Sequence, residues 1–229
     1  MQPYFVPYIG YFQLLHLCDT FVIHDDVQYV KQSWINRNRM LVGTTPGYYT
    51  IPVASHAATA RICDVDLAPG YERTSRSLLA RFETTYARAP YFGEARDLLR
   101  EVLWSSASDL LSYLTSGLSL LASALGVGRP WQLASELPFE KSLTGQERVI
   151  AVARAVRCRT YINPPGGRGL YDPEVFRRAG MELRFLRPYI PDLRAASAAS
   201  EAPFSVIDTI AMAGLNQARE WVRQGRAEL

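Results

Sequence analysis

Short apolar runs bounded by polar residues predict several strands along the chain. Residues 20–23 and 160–162 are continuous β-favouring runs, which is typical of buried parallel strands. Residues 181–185 alternate apolar and polar side chains, which indicates a half-buried strand. Three further strands are predicted at 48–53, 60–67 and 131–137.

Apolar positions at helical spacing predict helices between these strands. Asp172 and Pro173 form a cap and first-position pair, and Thr144 with Glu147 matches a capping box. The alanine- and serine-rich stretch at 194–202 is expected to be a loop. The predicted helices lie at 11–17, 73–87, 93–103, 107–125, from 144, from 172 and at 205–226.

This order of elements predicts an α/β fold with an open, mostly parallel sheet. We expect one domain over residues 1–229, with a helical insertion or lid subdomain at 72–127. Ligands of open α/β sheets collect at the carboxyl ends of the strands. The side chains that follow the strands at 20–23 and 160–162 are therefore the candidates for chemistry.

Composition narrows the class of protein further. The chain has 229 residues, 48% of them hydrophobic and 21% charged, which is typical of a globular protein. A net charge of +3 gives no reason to expect a DNA or membrane partner. The three cysteines form no close pair, and no signal peptide is visible, so we expect a reduced, cytoplasmic protein. No metal site and no cofactor is assigned.

The strand at 20–23 ends in three ionisable residues, His24, Asp25 and Asp26, which are the candidate catalytic residues. An imidazole at a strand end can transfer protons, and a carboxylate can act as a general base or join its neighbour in holding a divalent cation. The alternatives are a structural histidine and an aspartate pair that forms a turn or a helix cap.

A polar and aromatic segment follows, and it contains the candidate substrate-binding residues. An aromatic platform, amides and a fixed cation suit a sugar or nucleotide-sugar, although the same side chains can simply tie down their own loop. The candidates in this part of the chain are Gln2, Tyr8, Tyr11, Gln28, Lys31, Trp34, Asn36, Arg37 and Asn38.

A second loop, Asn-Pro-Pro-Gly-Gly at 163–167, follows the strand at 160–162. Its glycines allow a ligand to approach the backbone and form an anion-binding nest, although any tight turn uses glycine. We expect Asp25 and Gly166 to lie within about 10 Å of each other around one pocket. The candidate binding residues here are Asn163, Gly166, Gly167 and Tyr171.

Long motifs resemble the WbqC-like family of bacterial proteins: QPYFVPYIGYF at 2–12, CDTFVIHDDVQYVKQSWINRNRML at 18–41, YINPPGG at 161–167, GLYDPEVFRRAGMELRFL at 169–186 and FSVIDTIAMAG at 204–214. The family occurs in gene clusters for O-antigen and specialised metabolites, including antibiotics. Its members are proposed to transfer glycine or a similar aminoacyl group to an amino sugar. Family members usually carry several β-forming residues ahead of the Gln-Pro pair, so the resemblance implies that the first strand is clipped here, through either a misassigned start or a real shortening.

A more distant likeness concerns the nucleotidyltransferase-like α/β group that includes class I aminoacyl-tRNA synthetases. Those proteins place a Gly-His pair where this chain has Gly10-Tyr11, and a lysine loop where it has FEKSLTG with Lys141. The likeness implies a Rossmann-like architecture. It also leaves open an enzyme that activates its own acid with ATP.

The resemblance implies a transferase, with an amino sugar or nucleotide-sugar as acceptor. A carrier-protein thioester or an aminoacyl-tRNA would be the donor. His24 or Asp25 would remove the amine proton, and Asn36 and Arg37 would stabilise the tetrahedral oxyanion in a direct attack without a covalent enzyme intermediate. The alternatives are an ATP-dependent adenylating enzyme and a non-catalytic binding protein.

Overall fold

The computed structural model describes residues 1–193 and 203–229, and it shows a mixture of helices and short strands. The helices are α1 Ile9–Leu17, α2 Tyr71–Tyr86, α3 Phe92–Leu103, α4 Leu110–Ala124, α5 Gly145–Ala155, α6 Pro173–Arg178, α7 Val206–Ala213 and α8 Leu215–Val222. The strands are β1 Phe21–Ile23, β2 Arg37–Val42, β3 Thr45–Thr50, β4 Trp131–Leu133, β5 Thr160–Asn163, β6 Glu182–Arg187 and β7 Arg226–Glu228. The α/β class predicted from the sequence is confirmed.

The described strands form three small sheets instead of the single open sheet that the pattern predicts. β1 and β4 pair in parallel, and β2 and β3 form an antiparallel hairpin. β5 and β6 are parallel, and β7 joins β6 in antiparallel orientation. The parallel pairing is thus present, but β1 and β5 are not hydrogen-bonded to each other, and a cavity lies between them.

Two hydrophobic clusters hold these elements together. The larger includes buried side chains of α1 to α4, α7, α8 and the strands β1 to β3. The smaller is formed by α5, α6, β5 and β6, with Phe176 fully buried at its centre. α5 and α6 therefore cover one face of the β5–β6 pair, while Ile162 and Leu186 pack on the larger cluster from the same pair.

The helices at 71–124 pack into the larger cluster. The Tyr86 hydroxyl of α2 accepts a 2.8 Å hydrogen bond from the Leu41 amide of β2. At the start of α4, the Leu110 amide donates to the Val65 carbonyl over 2.9 Å. These contacts join α2 and α4 to the N-terminal part of the chain. A role of this region as a lid stays a prediction.

Capping residues in the sequence predicted the starts of two helices, and one of the two capping patterns is formed. The Asp172 side chain accepts a 2.9 Å hydrogen bond from the Glu174 amide, and Pro173 is the first residue of α6, as predicted. Thr144 is the N-cap of α5, but its side chain makes no capping hydrogen bond, so the expected capping box is not formed.

Several other elements predicted from the sequence pattern were wrong. The strand predicted at 60–67 is a 3-10 turn at Ile62–Asp64 flanked by isolated bridges. The predicted helix at 205–226 is divided at Gly214, whose φ of 82° cannot continue a helix. β3 ends at Thr50, short of the 48–53 prediction, and β2 and β7 were not predicted at all. The loop predicted at 194–202 lies outside the described residues.

Candidate functional site

Asp25 connects the end of β1 to two neighbouring turns. Its side chain is fully buried, and Oδ1 accepts a 3.0 Å hydrogen bond from the Ser135 amide in the turn after β4. Its carbonyl accepts a 3.0 Å hydrogen bond from the Cys63 amide. Oδ2 is buried and has no hydrogen-bond partner among the described residues. A carboxylate so enclosed positions the backbone at the strand end.

Asp26 forms the centre of a charged group that we call the Asp26 cluster, made of Asp26, Phe139, Lys141 and Arg148. The Asp26 side chain is 4% exposed; it forms an ion pair with Arg148 and lies 3.6 Å from Lys141 Nζ. Lys141 Nζ also donates to the carbonyls of residues 134 and 137. Lys141 remains 44% exposed, whereas Arg148 is 11% exposed. Lys141 is therefore the member of the cluster that a ligand can reach most directly.

Phe139 lies beneath both cations of the Asp26 cluster. Lys141 Nζ is 3.8 Å from the ring centroid, and the Arg148 guanidinium carbon is 4.8 Å from it. The negative face of an aromatic ring attracts cations at this distance. The ring and the Asp26 carboxylate together hold two positive charges at the carboxyl ends of β1 and β4.

His24 precedes the two aspartates and is partly buried. Its amide donates a 2.8 Å hydrogen bond to the Met1 carbonyl. Burial is the main cause that lowers the pKa of His24 from 6.5 to about 2, and the terminal amine of Met1 and the Arg148 guanidinium lower it further. The imidazole is therefore neutral at physiological pH.

The aromatic loop ahead of α1 is largely packed into the protein. Tyr11 is buried, and its hydroxyl donates a 3.1 Å hydrogen bond to the Gln2 carbonyl. The Tyr8 ring lies directly over Gly10, where a Cβ atom would come within 2.3 Å of it. Burial, with a smaller contribution from Tyr4, raises the pKa of Tyr8 to about 12. Tyr11 thus belongs to the core, while Tyr8 is only partly buried.

The amides of the polar segment are engaged with the backbone. Asn36 Nδ2 donates to the Ile51 carbonyl over 2.8 Å, and Asn38 Nδ2 donates to the Phe5 carbonyl over 2.9 Å. Gln28 Nε2 donates to the carbonyl of residue 58 over 2.8 Å. These contacts match the alternative in which the side chains tie down their own loop.

The remaining predicted residues of this segment lie around the hairpin. The Arg37 guanidinium carbon is 4.1 Å from the centroid of the Tyr48 ring, and the Trp34 ring is 6.2 Å from the same ring. Lys31 is exposed in the turn before them. Among the described residues, no hydrogen bond or ion pair joins Arg37 to the Asp26 cluster.

The second predicted loop is built around Asn163. Its Nδ2 donates a 2.7 Å hydrogen bond to the Tyr161 hydroxyl. A Cβ atom at Gly167 would lie 2.1 Å from Asn163 Oδ1 and 3.0 Å from the Tyr171 ring, so only glycine fits there. Gly166 has open space around it.

The N-terminal turn of α5 contacts both the start of α6 and the Asp26 cluster. Gln146 Oε1 accepts a 3.1 Å hydrogen bond from the Asp172 amide, beyond the second loop. Two residues further, Arg148 forms its ion pair with Asp26. The start of α6, which follows the second loop in the chain, and the Asp26 cluster therefore contact the same end of α5. The expected 10 Å separation between Asp25 and Gly166 stays a prediction.

Arg148 and Phe139 were not predicted from the sequence. One signal was present: Arg148 lies in the first turn of α5, where the helix dipole disfavours a cation. Such a position suggests a carboxylate partner elsewhere in the chain. No comparable signal marks Phe139.

A cavity of about 600 Å³ lies between β1 and β5. His24 reaches it, and its lining combines apolar side chains of α1 and α5, such as Leu14 and Val149, with charged residues such as Asp19 and Arg157. Among residues 1–193 and 203–229, no three histidine, cysteine or acidic side chains are grouped so as to hold a metal ion. None of the helices in these ranges combines the length and apolar character needed to cross a bilayer.

Fold and site define an α/β protein with a cluster of charged side chains at the carboxyl ends of two parallel strands. The model of the WbqC-like protein family matches residues 2–220, so the chain belongs to that family. It is also 28% identical over 177 residues to "Uncharacterized protein Rv1507c" of Mycobacterium tuberculosis, which covers 77% of this chain and 75% of that protein. No solved structure matches the chain.

Proposed function

We propose that the protein is an enzyme that transfers an aminoacyl group, with glycine as the first candidate, to the amine of an amino sugar or related acceptor. The observation that carries the proposal is a neutral imidazole, His24, two residues from Asp26, whose carboxylate holds two cations; the charge of one of these cations, Arg148, acts on the imidazole. Acyl transfer to an amine needs both a proton acceptor and a positive site for the developing oxyanion. Membership of the WbqC-like family supports the same reaction class.

The proposed reaction is a direct displacement. The acceptor nitrogen attacks the acyl carbon of a carrier-protein thioester or an aminoacyl-tRNA ester, and the C–N bond forms. The C–S or C–O bond to the donor then breaks, and its electron pair leaves with the donor sulfur or oxygen. One proton moves from the attacking amine to His24 Nδ1 or Nε2 and from there to the leaving group.

His24 is neutral in the free protein, and so low a pKa makes it a weak base. The negative charge that develops on the acyl oxygen would raise the pKa of His24 during the reaction, because an anion favours the protonated imidazole. His24 thus becomes a stronger base as the tetrahedral intermediate forms. Acceptor amines must bind in the unprotonated form, so the rate should rise with pH toward the pKa of the acceptor.

Lys141 is the group in the best position to stabilise the oxyanion. Its ammonium is held by Asp26 and by two carbonyls, and yet it is 44% exposed. A cation fixed before the reaction loses little freedom when charge develops beside it. Lys141 replaces the amide of Asn36 in the role expected from the sequence, since that amide is bound to Ile51. Asp25 is a positioning residue, because its carboxylate is fully buried.

The test is a transfer assay. The purified protein is incubated with glycyl-loaded carrier protein or glycyl-tRNA and a panel of amino sugars, and the products are examined by mass spectrometry. We expect a mass gain of one glycyl unit on one acceptor, lost in His24→Asn and Lys141→Ala. His56→Asn and Arg100→Ala, which change a loop residue and an α3 residue outside the Asp26 cluster, should retain activity. No gain with any donor and acceptor pair would refute the proposal.

A second candidate is an enzyme that activates its own acid with ATP. The observation that favours it is the position of Lys141, beside Asp26 and the ends of β1 and β4. Calorimetry with ATP and Mg²⁺ distinguishes the two: binding that disappears in Lys141→Ala supports the ATP-dependent reaction. Acceptor binding with neither transfer nor ATP binding would instead indicate a non-catalytic binding protein.

A further inference from the structure

The β2–β3 hairpin and the turn before it carry two aromatic rings with a cation beside them. The Trp34 and Tyr48 rings lie 6.2 Å apart, and the Arg37 guanidinium carbon is 4.1 Å from the centroid of the Tyr48 ring. Tyr48 is 45% exposed, whereas Trp34 and Arg37 are partly buried. Lys31 is exposed in the same turn as Trp34. We call Lys31, Trp34, Arg37 and Tyr48 the hairpin site.

The Arg37 guanidinium has no anionic partner within residues 1–193 and 203–229. Its Nε is buried without a hydrogen-bond partner, and the group forms no ion pair in these ranges. Residues 27–63 contain no aspartate or glutamate, although the whole chain has 22 of them. A partly buried cation is costly when nothing balances its charge. The planar guanidinium matches the oxygens of a phosphate, so a phosphate ligand would supply the missing anion.

The side-chain amides beside the hairpin site are already engaged. The side-chain nitrogens of Gln28, Asn36 and Asn38 each donate a hydrogen bond to a backbone carbonyl. The site therefore offers aromatic rings and cations, and few donors that could distinguish sugar hydroxyls or base edges. Every nucleobase has a flat face that stacks on aromatic side chains. Rings beside an unpaired guanidinium thus fit a nucleotide with little preference among bases.

We propose that the hairpin site binds the nucleoside diphosphate part of a nucleotide-linked amino sugar. The base stacks on the rings of Trp34 and Tyr48, and the Arg37 guanidinium pairs with a phosphate. Lys31 supplies the second positive charge for the diphosphate. The inference rests on the proposed function for the reaction itself, and it names the acceptor class: an amino sugar joined to a nucleoside diphosphate, not a free amino sugar.

A short segment, residues 26–31, joins the Asp26 cluster to the hairpin site. Its five residue steps span at most about 18 Å. Within it, the Tyr29 amide donates a 2.8 Å hydrogen bond to the Ala60 carbonyl, which fixes the backbone. Burial raises the pKa of Tyr29, and the charge of Arg37 opposes part of this rise, so Arg37 lies within electrostatic range of the segment. A ligand with its nucleotide at the hairpin site can therefore extend its sugar toward the Asp26 cluster.

The charge available at the hairpin site matches a diphosphate better than a nucleic acid strand. Lys31 and Arg37 are the cations of the site. Of the other arginines in this part of the chain, Arg61 is paired with Asp64 over 2.7 Å, and Arg39 is only 7% exposed. An RNA strand is held by a positively charged groove that follows several phosphates. A diphosphate needs only the two cations that the site provides.

The test uses UDP, which carries no amine, so its binding is measured whether or not the transfer reaction occurs. Calorimetry should show saturable binding that Tyr48→Ala and Arg37→Lys each weaken about tenfold, through loss of the stacked ring and of the guanidinium fork. Tyr48→Phe keeps the ring, and Tyr91→Ala removes a tyrosine that is 43% exposed elsewhere; both should bind UDP like the wild type. ADP, GDP and CDP should bind nearly as well as UDP.

An NMR titration with UDP locates the nucleotide. The amide chemical shifts at residues 31–37 and 48 should change in the wild type and equally in Lys141→Ala. No UDP binding, or full affinity in both Tyr48→Ala and Arg37→Lys, would overturn the proposal, as would shift changes confined to the Asp26 cluster. Binding of an RNA oligonucleotide ending in CCA that UDP does not displace would assign the site to RNA and also overturn it. UDP binding without any aminoacyl transfer would refute the proposed function alone.

Discussion

The neutral state of His24 makes the stability of the protein depend on pH. The folded pKa of about 2 lies below the ordinary 6.5, so the unfolded chain binds a proton between these values and the folded chain does not. The free energy of unfolding therefore falls as the pH drops below about 6.5, and the loss continues toward pH 2. His24→Asn removes the titrating imidazole, so the free energy of unfolding should depend less on pH between about 6.5 and 2.

The size of the effect follows from the proton balance. One proton bound only by the unfolded chain changes the free energy of unfolding by about 1.4 kcal/mol per pH unit, so a drop from pH 7 to pH 5 removes about 2 kcal/mol. His24 is partly exposed, and solvent screening reduces this to about 1 kcal/mol. For a chain of this length, the corresponding change in Tm is roughly 2–4 °C.

The assay is thermal unfolding of the wild type, His24→Asn and His56→Asn at pH 7 and pH 5. The wild type and His56→Asn should lose roughly 2–4 °C more between the two pH values than His24→Asn does. The Met1 amine titrates in all three proteins and largely cancels in the comparison. An identical pH dependence in His24→Asn and the wild type would show that this imidazole is not held neutral by the fold.

Three further predictions concern packing and charge. Asp26→Asn leaves two cations without their carboxylate and should cost about 3 kcal/mol in urea unfolding, whereas Asp97→Asn at an exposed pair should cost under about 1 kcal/mol; equal losses would contradict the buried cluster. Gly10→Ala forces a Cβ atom against the Tyr8 ring and should cost about 1–3 kcal/mol, with partial recovery in the double variant with Tyr8→Ala; no recovery would place the strain elsewhere. Gly214→Ala meets a φ of 82° and should cost at least about 1 kcal/mol; an unchanged midpoint would refute the strain.

Elements with a strong local signal were predictable from the sequence. β1 is a continuous apolar run, and the start of α6 is marked by Asp172 and Pro173. β2 gave no such signal because it begins with Arg37, Asn38 and Arg39, which are polar. Asn38 is nevertheless buried, since its amide is satisfied by the Phe5 carbonyl far away in the sequence. Tertiary contacts of this kind are invisible to a local pattern.

The candidate site was likewise predictable from the sequence only in part. The rule that ligands collect at strand ends directed attention to His24, Asp25 and Asp26 without any structure. The roles of the individual side chains were not predictable from the sequence, because they depend on burial. Asp25 is fully buried, whereas Lys141 is exposed. The partner Arg148 comes from a helix 122 residues away. Pairings across such a distance are fixed by the fold and not by spacing in the sequence.

The central claim is that ligands bind at the Asp26 cluster, and an NMR titration of the isotope-labelled protein tests it most directly. The probes are glucosamine, galactosamine and a UDP-linked amino sugar. We predict that the amide chemical shifts at residues 24–26, 135–142 and 146–148 change with probe concentration and reach saturation. Lys141→Ala should weaken this binding. Saturable shifts confined to residues 14–18 and 149–162, around the cavity between β1 and β5, would contradict the account.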